Sequence, residues 1–233
     1  HRDLHSFPTR RSSDLLFTAN GYYSQLHGNY LFYEVGKRTA AFAEAHPEAE
    51  LIRMGIGDVT RPLVPAVIEA MHKAVDEMSH AETFHGYSPA FGYDFLRQAI
   101  LERDYTARGI SLGLDEIFVS DGAKCDVANI QELFSPGTVV AVMDPVYPVY
   151  VDTNVMSGRG GAYADAKRGY EKIVYMPGSE ENGFVPALPP ERVDVMYLCY
   201  PNNPKALTLT EGQLDAYARY APANRTVILY TSD

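Results

Sequence analysis

"TVVAVMDPVYPVYVDTNVMSG", residues 138–158, opens with an unbroken apolar run from Val139 to Met143. A strand with one wet face alternates apolar and polar residues. A run this continuous reads as a strand buried on both faces, the usual condition in a parallel sheet. Asp144 and Pro145 end it, and the segment from Pro145 to Gly158 reads as the start of a helix. Strand followed directly by helix is the repeating unit of an α/β protein.

The alternation continues on both sides. Upstream, "EIFVS" (116–120) reads as a strand, and "AKCDVANIQELF" (123–134) as a helix with Val127, Ile130, Leu133 and Phe134 inward. Downstream, "EKIVYMP" (171–177), "VDVMYLCY" (193–200) and "TVILYTS" (226–232) read as strands. A helix is predicted from Thr210 to Ala221, with Thr210 and Gln213 at capping-box spacing. Earlier in the chain, helices are predicted over 31–45, 61–79 and 93–108, and "ELIRMGIGD" (50–58) as a strand entering a glycine turn. Val64, Val67, Ile68, Met71, Val75 and Met78 share one face of the 61–79 helix. The expected architecture is a three-layer α/β/α fold around a mainly parallel sheet.

Composition narrows the function classes. The chain has 233 residues, a net charge of -10 and 46% hydrophobic residues, enough for a sizeable core. An acidic surface repels phosphate backbones, so nucleic acid is excluded as a partner. The 2 cysteines and 7 histidines show no metal-ligand spacing. Two cysteines do not make a disulfide framework, which points to a reducing, cytoplasmic setting. No apolar run approaches the roughly 20 residues of a membrane helix. "HRDLHSFPTRRSSDL" (1–15) is basic, Ser-rich and aperiodic. It reads as foreign, translated vector or adapter sequence, in preference to a disordered arm or a transit-like piece.

Ligands of parallel sheets bind at the carboxyl ends of the strands. "SDGAK" (120–124) places Ala123 and Lys124 where a helix opens, with free N–H groups for an anion; a plain cap by Ser120 or Asp121 is the other reading. "GIGDVT" lacks the third glycine of a dinucleotide fingerprint, Thr60 standing in its place, so a packing turn at Gly55 and Gly57 is the better reading. "DPVYPVY" sets Tyr147 just past a strand end, as a ring-stacking aromatic or a core tyrosine. "PNNP" (201–204) stiffens a turn so that Asn203 can donate to a ring oxygen, or is an ordinary Asx turn. "HGYSP" (85–89) reads as a solvent loop carrying Tyr87. An anion cradle, a stacking aromatic and a rigid asparagine turn together suit one ligand with a phosphate and a flat oxygen-bearing ring, and pyridoxal 5′-phosphate fits.

The motifs "GIGDVT", "GYSPAFGYDFLR", "DEIFVSDGAKCD", "NIQELF", "DPVYPVYVDTNVMSGR", "ENGFVPALPP" and "YLCYPNNP" resemble those of the LL-diaminopimelate aminotransferases. These are fold type I, class I/II pyridoxal-phosphate enzymes. The resemblance runs from Asn20 to Pro204, and more weakly to Tyr230. It implies amino transfer between LL-2,6-diaminopimelate and 2-oxoglutarate, giving tetrahydrodipicolinate and glutamate in lysine biosynthesis. It further implies a cytoplasmic (in a plant, plastid) homodimer acting on small amino and 2-oxo acids. Carried over by motif, Tyr87, Ala123, Lys124, Tyr147 and Asn203 would bind the cofactor, Tyr87 from the other subunit. Tyr30, Gly57, Lys124, Tyr147 and Asn203 would bind substrate. The implied organisation is a foreign or disordered 1–15, an arm and small-domain portion over 16–60, and a partial cofactor-binding large domain over 61–233. The open alternatives are an aspartate, alanine or aromatic aminotransferase, or a non-catalytic phosphate-ligand domain.

The chain departs from the family in two places. Lys205 and Ala206 follow "PNNP", where the family has threonine and glycine. Thr231 stands where the family has the aspartate that faces the ring nitrogen. The expected catalytic set within these residues is empty, because the family's Schiff-base lysine falls past Asp233.

Overall fold

The computed structural model describes residues 18–28, 30–54, 59 and 61–232. These group into two compact units, one made of the described residues of 1–30 and 126–233, the other of those of 31–125.

The first unit is built on a parallel four-stranded sheet of order β4-β1-β5-β6. Its strands are β1 (Val140–Asp144), β4 (Ile173–Pro177), β5 (Val195–Cys199) and β6 (Val227–Thr231). A two-stranded antiparallel hairpin, β2 (Tyr163–Ala164) with β3 (Gly169–Tyr170), stands apart from it. Alternation along the central strands sorts the core into two clusters. Val140, Val142, Val195, Tyr197 and Cys199 point to one face, where Val149, Tyr150 and Val155 of helix α5 (Val149–Met156) cover them. Ala141, Met143, Met196 and Leu198 point to the other, under Tyr217 of helix α6 (Glu211–Asn224). Both faces are therefore dry, which is why β1 and β5 read as unbroken apolar runs, and the three-layer α/β/α arrangement follows. Thr210 caps α6 as its sequence predicts, its hydroxyl accepting from Gln213 N–H while the Gln213 side chain accepts from Thr210 N–H.

Asp152 sits half-buried in the first turn of α5, and burial raises its carboxyl pKa above the ordinary 3.8. A helix N-terminus favours a negative charge there, but desolvation outweighs that help. The folded state thus holds this proton more tightly than the unfolded chain does. The resulting stability is complete below the unfolded value and is lost as pH rises from about 4 through the raised folded value. Asp152→Asn removes the buried charge. Urea unfolding is expected to find it equal to wild type near pH ~4 and more stable than wild type toward pH ~7, the gap opening as pH rises.

The second unit contains α1 (Leu31–Ala45), α2 (Pro65–Met78) and α3 (Asp94–Ile100), which runs on through a π turn (Leu101–Tyr105) to a left-handed Gly109. Its core is thin. Arg97 is its main tie: Nε donates to Ile117 O at 2.9 Å, Nη1 pairs with Asp94, Nη2 donates to Leu114 O, and the guanidinium lies over Phe91. Two expectations fail here. "EIFVS" is no strand; Val119 N–H goes to Phe91 O, and Ile117 O to Arg97, so no ladder forms. Residues 51–54 of the expected 50–58 strand have no regular structure, and 55–58 lie outside the described residues. The apolar face of α2 is exposed at Val67, Ile68, Met71, Val75 and Met78. In the first unit, Leu133 is likewise exposed, because the helix opened by α4 (Ala123–Asn129) tightens into a 3-10 turn at Ile130–Leu133 and turns it outward.

Candidate functional site

Three of the sequence-predicted positions fall at one edge of the sheet. Tyr147 lies in the turn between β1 and α5, and Asn203 in the loop after β5. Thr231 ends β6, paired in register with Cys199 at the end of β5. Because β1, β5 and β6 are adjacent and parallel, these turns open on the same, carboxyl, edge.

Two tyrosines of the α5 region have separate roles. Tyr150 is the core residue: it is buried, packs against Tyr197 at 5.4 Å between ring centroids, and its hydroxyl lies 2.7 Å from Thr231 Oγ1. Tyr147 is only half-buried and meets Tyr150 edge to face at 6.1 Å. Its phenol oxygen lies 3.0 Å from that of Tyr30. Tyr147 packs at the margin of the core cluster, where Tyr150 is the buried member. Nothing in the spacing singled out Tyr150; its bond to Thr231 depends on strand register.

In "PNNP" the two asparagines divide the work. Asn202 is buried and holds the turn: its N–H donates to Leu207 O at 2.8 Å, its Oδ1 accepts from Lys205 N–H at 3.2 Å, and its Nδ2 reaches Cys199 O at 3.5 Å. Asn203 is the half-exposed member next to it. The departures that follow have visible consequences. Lys205 lays its ammonium over the Phe184 ring at 5.3 Å, and burial lowers its pKa against the opposing pull of Asp144. Ala206 adopts a left-handed backbone with φ 55°, where glycine carries no steric penalty. Ala206→Gly is expected to raise stability by about 1 kcal/mol, read as a higher denaturation midpoint at unchanged slope. An unchanged or lower midpoint would mean that the alanine is not strained.

The other candidates belong to the second unit. Ala123 and Lys124 begin α4 and are exposed; Gly122, at φ 114°, donates its N–H to Ser120 Oγ at 3.3 Å. The serine turn is therefore formed, and the helix start remains open to solvent. Tyr87 is fully exposed. Gly57 lies outside the described residues. No group of three or more potential metal ligands occurs among the described residues.

The family model for aminotransferase class I and II matches residues 49–230. The chain belongs to the class I and II aminotransferase family. The chain is 55% identical over 215 residues to the LL-diaminopimelate aminotransferase of Agathobacter rectalis, covering 92% of the chain and 53% of that protein. It is 54% identical to the enzyme of the same name from Desulfotalea psychrophila, over 92% of the chain and 52% of that protein. Among solved structures, the L,L-diaminopimelate aminotransferase of Chlamydomonas reinhardtii superposes with a TM-score of 0.83 at 37% identity, over 93% of the chain and 52% of its own. A Thermus thermophilus aspartate aminotransferase mutant, at 20% identity and TM-score 0.73 over 93% of the chain and 53% of its own, shares the fold. The chain spans about half the length of the relatives it matches.

The residues of the first unit suit a flat cofactor ring in two respects and depart from it in one. Tyr147 offers a half-exposed aromatic face, and Asn203 stands on a turn fixed by Asn202. At the end of β6, Thr231 gives a neutral hydroxyl, bonded to Tyr150, in place of a carboxylate.

Proposed function

We propose that this chain is the cofactor-side half of an LL-diaminopimelate aminotransferase, which moves an amino group between LL-2,6-diaminopimelate and 2-oxoglutarate. The carrying observation is the 55% identity to a relative of that name. The convergence of Tyr147, Asn203 and Tyr30 at one sheet edge supports it. When bound, pyridoxal 5′-phosphate would supply an electron sink for the substrate carbon. The protein's part is positioning. Tyr147 would cover the ring face, the Asn203 amide would donate to the ring oxygen, and Tyr30 would line the substrate side. Ala123 and Lys124 would meet the phosphate with backbone N–H groups and an ammonium, and Tyr87 would reach the phosphate of a second copy. Thr231 would leave the ring nitrogen without a carboxylate partner, which weakens the sink. In the same reading, Gly57 lines the substrate pocket, residues 16–60 form an arm and small-domain portion, and 61–233 belong to the large domain. The working form is a cytoplasmic homodimer.

A chimera tests the reading: residues 20–230 joined to the remaining half of the Agathobacter rectalis relative, assayed for glutamate formation from 2-oxoglutarate. LL-diaminopimelate is expected to be the preferred donor. Preference for aspartate, alanine or an aromatic amino acid would overturn the substrate assignment. Phosphate-competed cofactor binding with no borohydride-reducible adduct would favour a non-catalytic domain.

A further inference from the structure

The segment leading to Tyr30 is fastened to the first unit at several independent points. Asn20 caps its 3-10 turn (Gly21–Gln25) by accepting from Tyr22 N–H, while its Nδ2 donates to Met156 O at 2.9 Å, at the end of α5. Gly158 has φ 87°, and a Cβ there would stand 2.7 Å from the Tyr22 ring, so the ring sits where only glycine leaves room. Leu26 packs on the core cluster beneath α5. The last fastening is at His27. His27 lies flat on Tyr163 of the β2–β3 hairpin, with centroids 3.8 Å apart and planes 4° from parallel. Its backbone N–H donates to Tyr170 Oη at 2.7 Å.

The hairpin side of this contact is itself fixed. Tyr163 and Tyr170 meet edge to face at 5.3 Å, and Tyr170 is buried. Tyr170 N–H donates to Tyr175 Oη at 3.0 Å, which ties the hairpin to β4. A Cβ on Gly169 would stand 2.6 Å from the Tyr175 ring, so the hairpin backbone lies directly against that side chain of β4. The two short strands are held by these rings and by the backbone bonds of Glu171 N–H to Ala162 O at 2.9 Å and Lys172 N–H to Gly160 O at 3.0 Å. In turn they present Tyr163 as a fixed platform.

We propose that His27 and Tyr163 are positioning residues for Tyr30: their stack, closed by the Tyr170 hydroxyl, seats the Tyr30 phenol 3.0 Å from that of Tyr147. Tyr30 is exposed, and Gly28 behind it has φ 74°, a conformation that turns the chain sharply after His27. Without the clasp, the chain would lose a hold on its approach to Tyr30, upstream of the left-handed Gly28. With it, the arm enters the site from one direction. The hairpin thereby acts on the site at a distance. This rests on the reading of Tyr147 as a cofactor-facing residue.

The test uses His27→Ala, Tyr163→Ala and the ring-preserving Tyr163→Phe in the full chain. Amide exchange over residues 26–31 is followed by mass spectrometry, and pyridoxal 5′-phosphate is titrated into each protein. Both alanine variants are expected to speed exchange over 26–31 by roughly fivefold or more, with Tyr163→Phe close to wild type and strand 195–199 unchanged. The double variant should do no more than either single one, since both break one contact. Wild-type exchange over 26–31 in both alanine variants would overturn the proposal. So would an equal rise over 195–199, which would mark general loosening instead of a lost clasp. Absence of cofactor binding by the wild-type chain would refute the reading of the site, while the exchange comparison would still decide the clasp.

Discussion

Arg159→Met is expected to lower folding stability by about 1–3 kcal/mol for each buried acceptor left without a donor. The guanidinium is only 2% exposed. Nε donates to Asn154 Oδ1 at 2.8 Å, Nη1 to Phe134 O at 3.0 Å, and Nη2 to Gln131 Oε1. None of these partners is a carboxylate. Burial pulls the pKa down, and the charge is held by oxygen dipoles arranged around it. Gln131 passes the constraint on, its Nε2 donating to Val127 O at 2.9 Å and to Tyr197 Oη at 2.7 Å in the centre of the sheet. Methionine fills the space but leaves these acceptors dry and unpaired. Arg159→Lys keeps the charge without the planar fork, and should recover only part of the loss. Chemical denaturation of the three proteins decides it. A cost below about 1 kcal/mol for the methionine variant would show that water reaches those oxygens.

Tyr147→Ala is expected to weaken pyridoxal 5′-phosphate binding by about tenfold or more, since stacking a flat heterocycle on an aromatic ring contributes about 1–3 kcal/mol. Tyr147→Phe separates the ring from its hydroxyl. If the face carries binding, the phenylalanine variant should stay within about twofold of wild type. If the phenol's link to Tyr30 carries it, both variants should fall together. Absorbance titration of each protein with the cofactor reads the affinity. Equal affinity in wild type and Tyr147→Ala would remove Tyr147 from the cofactor site.

The sheet was readable because its central strands are dry on both sides. Val139 to Met143 and Val195 to Cys199 are apolar without interruption, and only a strand between two layers tolerates that. Helix α6 was readable from its cap, Thr210 with Gln213. "EIFVS" misled because β propensity describes a residue's fit to a pleated surface and says nothing about whether a neighbour exists. Arg97 took the carbonyl that a ladder would have used, and its long-range role leaves no local pattern. The hairpin was invisible because two-residue strands have no period. At the candidate site, the positions of Tyr147 and Asn203 in the turns after β1 and β5 were legible from the strand ends before them. Asn202 and Tyr150 were not, because their work depends on how a turn closes and on which residue β6 sets beside β5. Tyr30 and Tyr87 came from family resemblance alone.

The alternation of β1 and β5 between two oily layers has an implication for alignment. In a sheet with one wet side, sliding a strand by one residue drives polar groups inward, and water itself forbids the error. Here a slide exchanges hydrocarbon for hydrocarbon. What forbids it is bulk: one side accepts valines and a tyrosine, the other methionines and a leucine, and neither set of hollows admits its opposite number. Shape, and not aversion to solvent, keeps these strands in step.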